Sequence, residues 1–326
     1  MRALRDSQDR HFTYLRLSLT EVCNFRCTYC LPDGYKSTCS DSFLDENEII
    51  NLLQAFAELG ISKVRLTGGE PTLRQDITSI VQKISKIAGI KKIGLTTNGY
   101  RLQQLAEPLF AAGLTNLNVS VDSLDPENFY KITGKPLLKN ILSGIENAIT
   151  CGIPTVKMNS VYLKDLNDAE LPNFMEFVRH NPISVRFIEL MQTGNNNDYF
   201  KQHHLSTLTI DSYLEENGWK KVVKQISDGP ALEFSHPEYL GRIGRIAPYA
   251  KDFCNSCNRL RVSSRGGLQL CLFGAGQVNL RNLLQSSNQK NELKQIICDS
   301  LFTKLARHNL QAGDTGLTKN LALIGG

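Results

Sequence analysis

Long apolar runs are missing from this chain. No stretch approaches 18 uninterrupted apolar residues, the length a helix needs to span a bilayer. The opening residues, Met1-Arg2-Ala3-Leu4-Arg5-Asp6, are charged and lack an apolar core, so no secretory signal is expected there. Internal repeats, low-complexity tracts and runs of five or six like charges are also missing. With 37 basic and 32 acidic residues the net charge is +5, too small an excess to point to nucleic acid or a membrane as the main partner. Any anion binding must then be local. These absences predict a cytoplasmic protein with no nucleic-acid and no membrane partner.

What is present reads as globular. A hydrophobic content of 41% over 326 residues supports one large α/β domain, or a domain with a sizeable extension. Nine cysteines in a cytosolic chain are metal ligands or free thiols rather than disulfides.

The first 190 residues alternate strand and helix signals. Strand-like runs fall near 13–19, 62–67, 92–97, 116–121, 154–161 and 184–189, with helical patterns between them, such as Leu73, Ile77, Ile80, Val81 and Ile84 behind Pro71. Gly60, Gly113 and Gly152 each close a helical stretch, where a left-handed cap is expected. Six β-then-α units in a row predict a parallel sheet. Buried parallel strands usually read as continuous apolar runs, yet several here alternate: Lys63 and Arg65; Asn118, Ser120 and Asp122; Thr155, Lys157 and Asn159. Residues two apart share a face, so one face of the sheet is polar and rich in cations. A closed eight-stranded barrel fills its interior with branched apolar side chains. Six strands with a polar inner face predict instead an incomplete (β/α)6 TIM-type barrel with a ligand inside. The other reading is a set of edge strands with one wet face.

Beyond about residue 190 the alternation fades. Met191 to Leu205 reads as a polar loop, and a less regular C-terminal region follows, with three cysteines and a final helix near 289–308. The expected division is a core of residues 1–227 and a C-terminal region of residues 228–326. His203-His204 read as solvated loop residues, Trp219 and its neighbouring lysines as surface, and Cys39, Cys151 and Cys298 as ordinary thiols.

Two cysteine groups carry the chemistry. Cys23, Cys27 and Cys30 are spaced C-x3-C-x2-C directly after the first strand, at the carboxyl edge where such folds keep their sites. Thiolates are the soft ligands that iron–sulfur clusters take. Three of them cover three corners of a cubane and leave the fourth iron open for a small molecule. A zinc site, with Cys39 as the nearby fourth ligand, and three unrelated thiols are the other readings. Cys254 and Cys257, then Cys271 after thirteen residues, form a second trio. It suits a second open cluster, half a zinc knuckle or a redox dithiol. Between these cysteines sits Arg259-Leu260-Arg261, a strand pattern with two guanidiniums on one face, the fork geometry that matches phosphate oxygens.

The first loop resembles the signature of the radical S-adenosylmethionine superfamily, C-x3-C-x-aromatic-C, with Tyr29 as the aromatic. Segments similar to that superfamily follow in order: Gly68-Gly69-Glu70-Pro71, Thr96-Thr97-Asn98-Gly99 and Asn118-Val119-Ser120-Val121-Asp122. Over nearly its whole length the chain is similar to the GTP 3′,8-cyclase family of molybdenum cofactor biosynthesis. Leu15-Arg16-Leu17-Ser18, Val64 to Pro71, Val156-Lys157-Met158-Asn159, Arg186 to Met191, the second cysteine set with its arginines and the terminal Gly325-Gly326 carry that resemblance.

The resemblance implies two [4Fe-4S] clusters, one on Cys23, Cys27 and Cys30 and an auxiliary one in the C-terminal extension on Cys254, Cys257 and Cys271. S-Adenosylmethionine would contact Tyr29, Gly69, Ser120 and Met191. GTP would contact Arg16, Arg65, Thr96, Lys157, Arg259, Leu260 and Arg261, helped by Lys63 and Arg186, with guanine on the open iron of the second cluster. A 5′-deoxyadenosyl radical would take the ribose 3′ hydrogen, making Cys23, Cys27, Cys30, Arg259 and Arg261 the catalytic set. The Gly325-Gly326 tail would reach the active site. Implied partners are a low-potential electron donor of flavodoxin or ferredoxin type and a downstream pterin-forming synthase, and a homodimer is compatible. The competing readings are a peptide-modifying radical enzyme, a non-catalytic iron–sulfur electron carrier and a zinc-binding interaction module.

Overall fold

In a computed structural model, which describes residues 4–36, 42–223 and 229–325, the alternating segments are strands paired in sequence order. They are β1 (Tyr14–Ser18), β2 (Lys63–Thr67), β3 (Lys92–Thr97), β4 (Asn116–Ser120), β5 (Thr155–Tyr162) and β6 (Ser184–Glu189). All five neighbouring pairs are parallel. Every strand therefore points its carboxyl end to the same edge. Between them lie α1 (Glu46–Glu58), α2 (Ile77–Ser85), α3 (Leu102–Ala111), α4 (Pro126–Thr133), α5 (Leu138–Thr150) and α6 (Leu171–His180).

The period of two sorts the side chains. Leu15, Leu17, Val64, Leu66, Leu95, Leu117, Val119, Met158, Val185 and Phe187 are fully buried on the helix-facing side. Helix α1 meets them with Ile49, Leu52, Leu53 and Phe56, a stripe at helical spacing. It starts where it does because Asp45 and Glu48 form a reciprocal capping box. The opposite side of the sheet carries Tyr14, Arg16, Lys63, Arg65, Thr96, Asn118, Lys157, Asn159 and Arg186, which together line a cavity. Strands β2, β4 and β5 each have a neighbour on both sides, so their polar faces are not wet edges.

The C-terminal region is more regular than the sequence suggests. After α7 (Asn197–His203) and α8 (Leu208–Glu216) come β7 (Lys220–Lys221), β8 (Leu232–Ser235), β9 (Arg242–Ile246), β10 (Arg259–Val262), β11 (Gly267–Gln269), β12 (Val278–Asn279) and α9 (Lys290–Leu301). Strand β9 extends the sheet in parallel beyond β6, and β10 does so beyond β1. The remaining strands add antiparallel, giving the order β12-β11-β10-β1-β2-β3-β4-β5-β6-β9-β8-β7 among the described residues. The barrel is incomplete because β1 and β6 pair with these late strands and not with each other. Ion pairs join this region to α1: the part-buried Arg281 holds Glu48, and Lys290 and Lys294 of α9 hold Glu58 at the surface.

Some expectations need correction. Pro71 opens a short 3-10 turn capped by Glu70, and α2 itself begins only at Ile77. The polar loop after Met191 contains α7, and His204 is bonded to the buried carboxylate of Glu189 at 3.0 Å. Trp219 is core, 3% exposed, with its ring against His236 and Tyr239. The flanking Lys220 and Lys221 stay exposed and keep their hydration, so burying the ring in that aromatic cluster costs them nothing. The division expected between 227 and 228, Cys39 and Gly326 lie outside the described residues. Among the described residues no helix is long and apolar enough to cross a membrane.

Candidate active site

The first cysteine loop leaves β1 and is clamped from two sides. Against α4, Arg26 and Thr28 donate backbone hydrogen bonds to Thr133 and Ile132, and Phe25 meets Phe129 edge to face. From β2 comes the Gly68-Gly69 turn. The Gly69 amide donates to Thr20 O and the Glu70 amide to Val22 O, both at 2.8 Å. A Cβ on Gly69 would stand 2.3 Å from Val22 O, and one on Gly68, whose φ is +145°, 2.3 Å from Thr20 O. Only glycine allows this approach.

Glu70 then links three strand ends. Its fully buried carboxylate accepts from Thr72 N at 2.9 Å, Thr97 Oγ1 at 2.7 Å and Asn98 N at 2.6 Å, and Asn98 Nδ2 donates onward to Asn24 Oδ1 in the cysteine loop at 2.8 Å. From β4, Asp122 accepts the Tyr29 hydroxyl at 2.9 Å and the Val161 amide at 2.8 Å, and burial pushes its carboxyl up to about 6. Ser120 ends β4 and Met191 follows β6, so both stand at this same edge.

Burial raises the thiol pKa of Cys23 to about 11 and of Cys30 to about 12, and drives that of Cys27 well above its ordinary value. Cys27 and Cys30 also feel the charges of their partners in the trio, while amides of Leu321 and Ala322 donate toward Cys30. Left to themselves these thiols stay protonated. A cluster of iron cations supplies the charge that makes thiolates stable there. Among the described residues no three His, Cys, Asp or Glu side chains converge closely enough to share a single ion.

The second trio stands at the opposite end of the strands. Cys254 and Cys257 precede β10, which is parallel to β1, so they lie at its amino end. Because β11 runs back antiparallel, with Arg261 opposite Gln269, Cys271 returns to that same end. All three line the cavity. Burial raises the Cys254 thiol; for Cys257 it does the same, but Arg259 and Lys304 outweigh it and the pKa falls below the ordinary value. Lys304 is itself buried and donates to Leu270 O.

Between the two ends lies a cavity of about 340 Å³ whose lining includes Arg16, Lys63, Arg65, Lys157, Arg186, Arg259 and Arg261. The register places Arg16 between Arg65 and Arg261, and Tyr14 between Lys63 and Arg259. Thr96 stands beside Asn118, and Asn118 beside Lys157. Burial lowers the pKa of Arg16 and of Arg186 to about 10, and that of Arg261 well below the usual range, with neighbouring guanidiniums adding to it. The Arg186 Nε and Nη2 atoms are buried without a partner among the described residues. Such a field is unfavourable until an anion enters. Leu260, expected as a GTP contact, is fully buried and is not part of the cavity lining; lying between the two arginines on β10, it turns its side chain to the core.

The chain's last residues thread between the two ends. Leu317 N donates to Gly274 O at 3.0 Å beside the second trio, Leu321 and Ala322 reach Cys30, and Arg261 Nη1 donates to Gly325 O at 2.6 Å. Several functional neighbours escape the sequence reading. Glu70, Asn98 and Asp122 are visible there only as motif members, and Tyr14 and Glu233 carry no signal beyond Tyr14's place in the alternation. Glu233 accepts from Lys157 at 2.6 Å and from Ser184 Oγ at 3.0 Å.

A parallel sheet with a three-cysteine loop at its carboxyl edge, a double-glycine turn pressed on that loop and a cationic interior defines a radical S-adenosylmethionine protein. The Radical SAM superfamily model matches residues 17–178, and the model described as Molybdenum Cofactor Synthesis C matches residues 183–310. Curated GTP 3′,8-cyclases of Psychromonas ingrahamii and Tolumonas auensis are each 52% identical over 323 residues, spanning 99% of this chain and 95% and 96% of their own lengths. That of Vibrio parahaemolyticus serotype O3:K6 is 53% identical, over 98% of this chain and 97% of its own. The chain belongs to the GTP 3′,8-cyclase family. In fold it is similar to native anSMEcpe with bound AdoMet and Cp18Cys peptide, at 14% identity and a TM-score of 0.54, covering 87% of this chain and 83% of that one.

Proposed function

We propose that this chain cyclises GTP to (8S)-3′,8-cyclo-7,8-dihydroguanosine 5′-triphosphate, a lyase reaction that opens molybdenum cofactor biosynthesis. The observation that carries the reading is the cavity: Arg16, Lys63, Arg65, Lys157, Arg186, Arg259 and Arg261 are among the cations that line it, with one cysteine trio in its wall and the other at the far strand ends. A nucleoside triphosphate supplies the negative charge that this interior lacks, and each charge-assisted contact contributes about 1.5–3 kcal/mol.

Cys23, Cys27 and Cys30 would hold the cluster that binds S-adenosylmethionine, with Tyr29, Gly69, Ser120 and Met191 around that molecule. When bound and reduced, this pair supplies a 5′-deoxyadenosyl radical able to take the ribose 3′ hydrogen. The protein's part is orientation and exclusion. Arg16, Lys63, Arg65, Lys157, Arg186, Arg259 and Arg261 hold the triphosphate, so the ribose is presented toward the carboxyl edge. Thr96 stands beside Arg65, donor and acceptor for the sugar or base. Cys254, Cys257 and Cys271 would hold the second cluster, facing the guanine. The segment that brings the Gly325 carbonyl to Arg261 would help keep water from the reacting end.

The same reading expects a low-potential flavodoxin- or ferredoxin-type donor, a pterin-forming synthase that takes the product, and a cytoplasmic site of action. The test is anaerobic reconstitution with iron and sulfide, followed by GTP, S-adenosylmethionine and a strong reductant. 5′-Deoxyadenosine and a cyclised nucleotide should form together. Cleavage of S-adenosylmethionine that is indifferent to GTP would overturn the substrate assignment.

A further inference from the structure

Among the cations of the inner face stands one phenol. Tyr14 is 5% exposed and lines the cavity, on the strand face that otherwise carries Arg16 and Ser18. Its oxygen accepts from Arg65 Nε at 2.8 Å. Lys63 Nζ stands 4.6 Å from its ring centre, a cation–π distance. Its paired neighbours across the sheet are Lys63 and Arg259, and its next inward neighbour along β1 is Arg16. Arg65 completes its own orientation with Leu95 O at 3.1 Å, in space that exists because residue 94 is glycine, whose added Cβ would stand 2.9 Å from the guanidinium carbon.

We propose that Tyr14 is a positioning residue of the substrate site: its phenolic oxygen anchors the Arg65 guanidinium and so holds one of the phosphate-binding cations in place. A buried tyrosine kept only for packing would sit on the helix-facing side of β1 with Leu15 and Leu17; this one faces the cavity. The inference rests on the reading of the cavity as a triphosphate site.

The charged groups facing Tyr14 are Arg16 on its own strand, Lys63 and Arg65 on β2, Arg186 on β6, and Arg259 and Arg261 on β10. Burial alone would raise the phenol, but Arg65, Arg16 and Lys63 outweigh it and bring its pKa down to about 7. The sign of the pH dependence follows. Below about 7 the phenol is neutral and its oxygen simply anchors Arg65. Above it, the phenolate adds a negative charge to the empty cavity and opposes an incoming polyanion. Replacing it with phenylalanine removes the anchor at every pH but removes the opposing charge only at high pH.

The experiment compares reconstituted wild type with Tyr14→Phe. The KM for GTP should rise about tenfold near pH 6, the loss of one charge-assisted hydrogen bond's orientation, with kcat changing far less. That ratio should shrink steadily toward unity as the pH is raised past about 7. An unchanged KM, or a rise equal at all pH values, overturns the inference. Iron content confirms that the variant folds. Should it fail to, difluorotyrosine at position 14 keeps the ring and hydroxyl but makes the phenol more acidic; the pH profile must move to lower pH, and a profile that stays in place overturns the inference. Calorimetric binding of inorganic tripolyphosphate separates this proposal from the one beneath it. If wild type ignores GTP but binds tripolyphosphate with the same Tyr14 dependence, the cyclase reading fails and this one stands.

Discussion

Replacing Gly69 with alanine tests whether the double-glycine turn is what holds the first cysteine loop in place. The backbone at Gly69 is not in the left-handed region; the obstacle is space alone. The new methyl carbon would lie 2.3 Å from Val22 O and 2.6 Å from Glu21 O, both backbone atoms that cannot rotate away. Enduring the clash costs about 1–3 kcal/mol or more as overpacking. Withdrawing the loop instead breaks the Gly69–Thr20 and Glu70–Val22 hydrogen bonds, at about 0.5–1.5 kcal/mol each. The two costs are similar, and a loop moves more readily than a strand, so the loop withdraws. The expected outcome is a protein destabilised by about 1–3 kcal/mol that still folds, loses the iron of the first centre and keeps that of the second. Iron and sulfide counting after anaerobic reconstitution, electron paramagnetic resonance of the reduced protein and 5′-deoxyadenosine release read this directly. Gly60→Ala is the control: its φ is +99° but nothing lies within 4 Å of the added carbon, so it costs about 1–2 kcal/mol of backbone strain and leaves both centres intact. Full iron and normal S-adenosylmethionine cleavage in Gly69→Ala would refute the packing argument.

Arg259→Ala should abolish GTP turnover while both centres remain, measured by product formation against iron content; normal cyclisation would remove Arg259 from the phosphate site. Inorganic tripolyphosphate should raise the melting temperature of wild type, by the equivalent of about 2.7 kcal/mol at a hundred times its Kd. The gain should fade with added salt and be much smaller in Arg261→Ala. For Glu233, burial raises the carboxyl but Lys157 outweighs it, so its pKa lies below the ordinary 4.5. Its stabilising contribution is therefore complete above 4.5 and drains away as the pH falls through the lowered folded value. Glu233→Gln should flatten that acid slope in urea unfolding and, by removing a negative charge from the cavity wall, tighten tripolyphosphate binding.

Much of the fold was legible because a strand's period of two is a local property. Lys63 and Arg65, or Lys157 and Asn159, must share a face wherever the strand lies, and the apolar residues between them must face the helices. The two cysteine trios, too, are matters of spacing, and Arg259-Leu260-Arg261 reads as a strand from its alternation alone. Trp219 shows the limit. Its flanking lysines suggest surface, but His236 and Tyr239, distant in sequence, supply the aromatic pocket that buries it.

The sequence by itself determined which side chains are chemically equipped for a cluster or a polyanion and which of them lie on one strand face. Only the tertiary structure decided that β10 pairs in parallel beside β1 and β11 returns antiparallel, which sets Cys254, Cys257 and Cys271 at the amino end of the strands while Cys23, Cys27 and Cys30 stand at the carboxyl end. It also decided that Tyr14 meets Arg65, that Glu233 meets Lys157 and that Gly325 meets Arg261. Those pairings span from 51 to 76 residues of chain, and what selects them is the register of whole strands and the burial of their opposite faces, which no local pattern contains.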